Sequence, residues 1–391
     1  MHTAWRIIMA LDAIVLSAIK RELDDKIIGA RIDKIQQPER DSILISVRNN
    51  GENMRLLINA GAGSGRIQLT SVSFENPAEP PMFCMLLRKY LVGARIEKLT
   101  QPDYERLLLI DVLSRNELGD NINLRLAVEL MGRSSNLVLI GSDGRIIDCL
   151  RRMDFGGDAE RRMLPGMIYR LPPKQKKPLV FELSSDERRD ILKNADFTKP
   201  LDKQLLDSFS GLSPLVCREI ACRSYENAQL LPEALDALID TVMAGDFCPT
   251  LLLDDGKPRE FSFMALKQYG GGMRTEILPD FSALLDAYYS KRETIERRRK
   301  RGRELGHSVK TARDRIARKL LSQRDELKRT EDRDSIRKNA ELITANMYRV
   351  KKGDRKLLCE DYYTEGSPEI EISLDPLKSP QQPLSRLRLR R

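Results

Sequence analysis

Histidine is nearly absent from this sequence. His2 and His307 are the only two in 391 residues, and neither has a ligand-spaced neighbour. That argues against a zinc site and against a His-based catalytic centre. The six cysteines (Cys84, Cys149, Cys217, Cys222, Cys248 and Cys359) share no CxxC spacing. Several lie on apolar faces, so they read as reduced, small core residues of a cytosolic protein. Long apolar runs are also missing: none reaches the roughly 18 residues that a membrane span needs. Residues 5–19 come nearest, but Asp12 interrupts them and no small-residue cleavage site follows. Leu11, Ile14, Val15, Ala18 and Ile19 fall on one helical face, which reads as a core helix and not as a signal peptide. No spacing supplies a nucleophile–base pair. The expectation is a soluble, cytoplasmic protein with no membrane partner, no metal, no cofactor and no catalytic residues of its own.

Positive charge is plentiful. The formal net charge is +9 with a pI near 9.2, which favours a polyanionic partner. One segment sets the sign: residues 291–330 hold 16 Lys/Arg against 6 Asp/Glu. It lies in a single predicted helix from Phe281 to about Leu342 with no internal proline. Ile295, Gly302, Val309 and Ile316 recur every seven residues, with Leu305 and Ala312 between them, a thin coiled-coil seam with a glycine in it. The other faces are basic, with Arg297, Arg298, Arg299, Lys300, Arg301, Arg313, Arg315 and Arg318. Solvated coiled-coil faces normally mix both signs, whereas a basic rod suits a phosphate backbone.

The first part of the chain contains an internal repeat. IIGARIDKIQQPERD (27–41) aligns with LVGARIEKLTQPDYE (91–105) without a gap and is identical at seven positions. The match resumes with Arg55–Leu69 against Arg125–Leu139. Each copy follows an amphipathic helix, the second carrying Phe83, Leu86, Leu87, Tyr90 and Leu91, and leads into alternating strands. Two such units predict a pseudo-twofold β-rich domain in which each covers the other's apolar face. Residues shared by the copies are architectural on this reading, and those that differ are functional candidates. In this alignment Arg106 replaces Ser42, Glu129 replaces Asn59, and Arg133 and Asn136 replace Gly63 and Arg66, while Glu105 keeps an acidic counterpart in Asp41. Met131 to Asn136 form a predicted tight turn that projects Arg133 and Asn136 outward.

Beyond Arg145–Leu150, a further predicted strand, LPGMIYRLPPKQKK (164–177) closes the domain. Residues 180–247 are helical. Asp202–Phe209, Gly211-Leu212-Ser213-Pro214 and Leu215–Arg223 read as a helix–hairpin–helix, which can offer backbone N–H groups to a phosphate or be plain helix packing. Arg259–Tyr269 and Arg274–Leu278 read as a β-hairpin around Gly270-Gly271-Gly272, and Ile370, Ile372 and Leu374 mark short strands within 345–375. The fold class is α+β, with expected domains at 9–175, 180–278, 281–342 and 343–376, and an atypical tail at 377–391.

Several of these stretches together resemble the NFACT family: MALDAIVLSAIKREL from Met9, FCMLLRKYLVGARIEKLTQ, LAVELMGRSSNLVLI, LPGMIYRLPPKQ, and ELITANMYRVKKGDRK with EISLDPLKSPQQ. Older descriptions call its bacterial members fibronectin-binding. The resemblance implies an N-terminal NFACT domain, a helix–hairpin–helix domain and a coiled coil with a small domain at its tip. It also implies binding to obstructed large ribosomal subunits carrying peptidyl-tRNA, and recruitment of alanyl-tRNA for template-free addition of C-terminal alanines that mark the chain for degradation. The family's Asp-Arg pair for tRNA matches Glu105 and Arg106, and its Glu-Ile-Met matches Glu129, Leu130 and Met131. Asp has become Glu in the first motif, and the turn usually written with His has Ser134. Arg133 and Asn136 complete the expected tRNA-binding set. The family's C-terminal NFACT-R domain is expected to be missing from this sequence, leaving the long helix to self-associate. A surface adhesin and a DNA-glycosylase-like enzyme are the rival readings. Against the second, Met9 is followed by Ala10 and Leu11 where such enzymes carry proline and glutamate.

Overall fold

A computed structural model of the chain describes residues 11–153, 161–194, 198–351 and 353–374, excepting the side chains at 291–301, 303–304 and 329–332. It divides into two compact units between Ile295 and Glu296.

In the first unit, helix α1 (Ala13–Ile27) starts at Asp12, whose carboxylate accepts the Val15 N–H at 2.8 Å, satisfying a donor that the first turn would otherwise leave open. Strands β1 (Arg31–Glu39), β2 (Ser42–Asn49), β3 (Glu52–Asn59) and β4 (Arg66–Leu69) follow. Helix α2 (Met82–Leu91) then introduces β5 (Arg95–Thr100), β6 (Leu107–Arg115), β7 (Asn121–Glu129), β8 (Asn136–Ile140) and β9 (Ile146–Cys149). All nine strands form one antiparallel sheet in the order β4-β3-β2-β1-β5-β6-β7-β8-β9.

The repeat appears in this order as a twofold relation about the β1–β5 seam. Arg31 pairs with its own repeat equivalent, Arg95. The flanking hydrogen bonds come in equivalent couples: Gly29 N–H to Ile96 O at 2.8 Å with Gly93 N–H to Ile32 O at 2.7 Å, and Ile32 N–H to Ala94 O at 2.8 Å with Ile96 N–H to Ala30 O at 3.0 Å. Helix α1 packs on β2, β4 and β5, and α2 on β1, β6 and β9, so each helix serves both halves. Leu108, Ile110, Leu126, Val128, Leu137 and Leu139 face a core shared with Ile43, Ile45, Leu56, Ile58 and α1. Their alternating neighbours Leu107, Leu109, Ala127, Val138 and Ile140 form a second core with Ile146, Cys149 and Met163. Burial on both faces is why 107–110 reads as an unbroken apolar run.

The hydrogen-bond register corrects the ungapped alignment. Gln36 pairs with Leu44, whereas its equivalent Thr100 pairs with Leu109, so the second hairpin loop is one residue longer. The extra residue is taken up in the turn Pro102–Tyr104, where Asp103 and Tyr104 adopt left-handed φ of 47° and 50°. Beyond the loop, Ser42 opposite Asn59 corresponds to Leu107 opposite Glu129. The structural equivalent of Arg106 is therefore Asp41, not Ser42. A charge is reversed there, rather than gained.

Helices α3 (Ser185–Lys193), α4 (Leu201–Ser208), α5 (Pro214–Arg223) and α6 (Leu231–Ala244) follow. The α4–α5 pair is the expected helix–hairpin–helix. Gly211 in its turn has φ +88°, and a Cβ there would meet Leu179 Cδ1 at 2.9 Å, so only glycine fits. Val180, Leu205, Phe209, Val216 and Ile220 join the same core as the sheet. The expected hairpin around Gly270–Gly272 does not form. Strand β10 (Thr250–Asp254) lies between β11 (Lys257–Ser262) and β12 (Arg274–Ile277), because the apolar run Leu251–Leu253 takes the buried central place.

The long helix α7 (Phe281–Ala345) begins in this unit. Glu22 accepts the Phe281 and Ser282 N–H groups at 2.9 and 3.2 Å, an acidic side chain at the positive end of the helix. Asp286 accepts bonds from Gln68, Thr70 and Ser71 at 2.6–3.0 Å. In the second unit α7 continues from Glu296, and strands β13 (Lys356–Glu360) and β14 (Glu369–Ser373) pack Leu357, Cys359 and Ile372 against Leu342. Leu305, Val309 and Ile316 of the seam are 67, 67 and 59 % exposed. No described helix is long and apolar enough to cross a membrane.

Candidate nucleic-acid interface

The loop ends of both halves meet at one rim of the first unit. A Cβ on Gly65, in the β3–β4 turn, would lie 3.5 Å from Ser135 Oγ and 3.7 Å from Leu130 in the equivalent β7–β8 turn. The Leu130 N–H donates to Arg106 O at 2.8 Å, joining the β5–β6 loop to the same place. Arg151, just beyond β9, pairs with Asp41 of the β1–β2 turn at 2.9 Å and donates to Ser135 O at 3.2 Å. Arg40, Arg106 and Arg133 lie on or beside these turns, while Arg151 is paired with Asp41, Arg152 with Asp148 and Arg161 with the buried Glu129.

Arg106 is half-buried. Burial pushes its guanidinium below the usual range, while Glu105 and Asp12 draw it back up. Burial likewise raises the Glu105 carboxyl, opposed by Arg106. Asp12 is buried and raised for the same reason, against its bonds from Val15 N–H and Ser213 and the pull of Arg106. The Ser213 hydroxyl donates to Asp12 at 2.7 Å and accepts the Val216 N–H at 3.3 Å. The N-terminus of α5 is therefore turned onto Asp12, and the helix–hairpin–helix is packed against the sheet domain at this point. Gln101 donates to Ala13 O and Glu105 O at 2.8 and 2.9 Å, and Tyr104 stacks on Phe181 at 4.0 Å. These contacts hold the loop carrying Glu105 and Arg106 in place.

The β7–β8 turn is a short 3-10 helix, Gly132–Ser134. It exposes Arg133 and leaves Met131 half-buried. The other expected residues do not point outward. Asn136 is fully buried: its Nδ2 donates to Arg151 O at 2.8 Å and its Oδ1 accepts the Arg151 N–H at 2.9 Å. Leu130 is a core residue. Glu129 is fully buried too, held by both terminal nitrogens of Arg161 and by the Tyr169 hydroxyl at 2.7 Å. Burial and the neighbouring carboxylate push the Tyr169 hydroxyl above its usual range, so it stays a donor. Glu129, Leu130 and Asn136 therefore shape the turn from below, because a carboxylate or amide in an apolar strand end is stable only when fully bonded.

Arg151, Arg161, Tyr169, Asp41 and Asp12 were not among the expected site residues. The sequence signal for Arg161 and Tyr169 was Glu129, a charge inside the apolar run Leu124–Leu130 that requires a partner from elsewhere. Arg313, Arg315 and Arg318 are exposed on α7, with Arg313 held by Asp314 at 2.7 Å. The side chains of Arg297, Arg298, Arg299, Lys300 and Arg301 lie outside the described residues. Burial pushes the Cys149 thiol up to about 11 and Cys217 up to about 12, so both stay protonated and inert. Among the described residues no group of His, Cys, Asp and Glu could hold a metal ion.

A β-rich pseudo-twofold domain with an arginine rim, a helical hairpin domain and a long basic helix define the class, and the comparisons agree with it. The family model for NFACT N-terminal and middle domains matches residues 12–387, and the chain belongs to that family. It is 37 % identical over 377 residues to the Rqc2 homolog RqcH of Bacillus subtilis, covering 96 % of this chain and 65 % of that protein. It is 31 % identical over 375 residues to the Rqc2 homolog RqcH of Streptococcus pneumoniae, covering 96 % and 64 %. The chain thus spans somewhat less than two thirds of these relatives. Among solved structures, the fibrinogen binding protein from Staphylococcus aureus is similar with a TM-score of 0.63 and 32 % identity, over 72 % of this chain and 99 % of that one. The N-terminal part of the fibronectin/fibrinogen-binding protein from Streptococcus suis is similar with a TM-score of 0.63 and 30 % identity, over 72 % and 99 %.

Proposed function

We propose that this chain acts in ribosome-associated quality control. It binds obstructed large ribosomal subunits carrying peptidyl-tRNA and recruits a tRNA, alanyl-tRNA by the family resemblance, for template-free C-terminal alanine addition. It is a binding factor, with peptide-bond chemistry left to the ribosome. The observation that supports this reading best is the meeting of the β1–β2, β3–β4, β5–β6 and β7–β8 turns at one rim, with Arg133 exposed and Arg106 half-buried on loops fixed by packing. Planar guanidinium forks clamp phosphates and stack on unpaired bases. Glu105 and Arg106 form the core of the tRNA grip, with Arg133 on its crest. The basic faces of α7, including Arg313, Arg315 and Arg318, follow phosphate backbone.

The test is tRNA affinity of Arg106→Ala and Arg133→Ala as a function of salt. Loss of one charge-assisted contact costs on the order of 1.5–3 kcal/mol, a drop of about tenfold or more. Reversing four of the α7 arginines is expected to flatten the salt dependence without changing tRNA preference. The reading fails if Arg106→Ala retains full affinity in a folded protein. The likeness to a fibrinogen binding protein and to a fibronectin/fibrinogen-binding protein favours a second reading, fibrinogen or fibronectin binding. It predicts saturable binding to immobilised fibrinogen that survives Arg106→Ala, with no enrichment of tRNA on the purified chain.

A further inference from the structure

We infer that Asp41 and Arg151 are positioning residues for the arginine rim, their ion pair across the pseudo-twofold setting where Arg133 and Arg106 present their guanidinium groups. The inference rests on the proposed RNA-binding role of that rim.

The geometry fixes Arg151 from three directions. Its guanidinium meets Asp41 at 2.9 Å and Ser135 O at 3.2 Å, with the side chain 23 % exposed. Its backbone is gripped on both sides by the buried Asn136 amide. One planar fork therefore reaches a turn of the first half and a turn of the second at once, which a lysine's point charge cannot do. Asp41 is tied down in turn, since its carbonyl accepts the Ala60 N–H at 2.8 Å. Ser135 closes the short helix that carries Arg133, and the Ser135 N–H donates back to Gly132 O at 3.1 Å. The pair thus holds the β1–β2 and β3–β4 turns against the turn that displays Arg133. Leu130, at the start of that turn, holds Arg106 through its backbone.

Repeat equivalence sharpens the point. Asp41 occupies the position that Arg106 occupies in the other half. An acid on a surface that binds a polyanion works against binding unless it does something else, and here it anchors Arg151. The two roles of Asp41 predict opposite signs for one substitution.

The experiment measures binding of fluorescently labelled deacylated tRNA to the full chain at fixed ionic strength, with melting temperature recorded for each variant. Asp41→Asn removes a negative charge, so a merely solvated acid predicts tighter binding. The positioning role predicts binding weaker by about three- to tenfold, in the lower part of the range for coupled neighbouring sites. Arg151→Lys keeps the charge and is expected to weaken binding by a similar factor. Tighter or unchanged binding by Asp41→Asn, or wild-type affinity in Arg151→Lys, overturns the inference. Arg106→Ala, run alongside, separates the two levels. If Arg106→Ala has no effect, the RNA-binding reading of the rim fails. If Arg106→Ala weakens binding while Asp41→Asn strengthens it, the rim reading stands and the positioning role falls.

Discussion

Asp12 shows how much a single side chain can be asked to do. Its carboxylate caps α1 and receives the Ser213 hydroxyl that caps α5, so two helix starts share one acid. Desolvation outweighs these bonds and the nearby Arg106, and its pKa in the folded chain is raised. The unfolded chain therefore releases this proton at a lower pH than the folded one. Stability from this group is fully present below the ordinary carboxylate value of about 3.9 and declines as pH rises through the folded value. The expected outcome is that the melting-temperature difference between wild type and Asp12→Asn shifts in favour of the variant as pH rises from about 4. A difference that is flat with pH would refute it. The sequence marked Asp12 only as an interruption of an apolar stretch, because its partner Ser213 lies two hundred residues away. The expected outward projection of Asn136 fails for a related reason. Like Glu129 across the turn, it ends an apolar strand whose two faces are covered, and the partners of the two residues, Arg151, Arg161 and Tyr169, come from a separate segment.

Helices and strands were legible where the pattern was strong. The heptad run and the absence of proline gave α7 to within a few residues, and the repeat gave α1, α2 and the strands after them. Strand β10 was passed over because Leu251–Leu253 is too short and uniform to show a period, and the pairing of its neighbours was misassigned in consequence. Loop length was equally hidden, since an ungapped alignment absorbs one extra residue in Pro102–Tyr104 without complaint. The seam of α7 carries a consequence at this scale. Leu305, Val309 and Ile316 lie exposed at helical spacing, and apolar stripes of this kind seek a partner helix. We expect sedimentation velocity to show association that grows with concentration. Leu305→Glu with Ile316→Glu is expected to abolish it and leave the melting temperature of the sheet domain unchanged. A strict monomer at high concentration, with α7 resistant to protease, would count against it.

At the scale of the molecule, the repeat was the most informative signal in the sequence, and the structure adds what it means in space. The halves do not merely stack; they share an edge at β1 and β5, exchange helix contacts, and place Arg31 against Arg95 on the axis. How the distant loops close into one rim was invisible beforehand, because curvature of a sheet leaves no periodicity in the chain. The β1–β5 seam carries a further implication. An edge that pairs with its own equivalent is self-complementary, like the isologous contact of a symmetric dimer. A fragment of residues 11–80 would hold one copy of that edge and a helix still lacking the strand it crosses. Two such fragments are expected to pair through β1 as a homodimer, each helix reaching over its sister's strand, as in a domain swap. Size-exclusion and light-scattering measurements on the fragment would decide it. A folded monomer would mean that the second half is dispensable to the first, and an unfolded chain that the symmetry has drifted too far to reassemble.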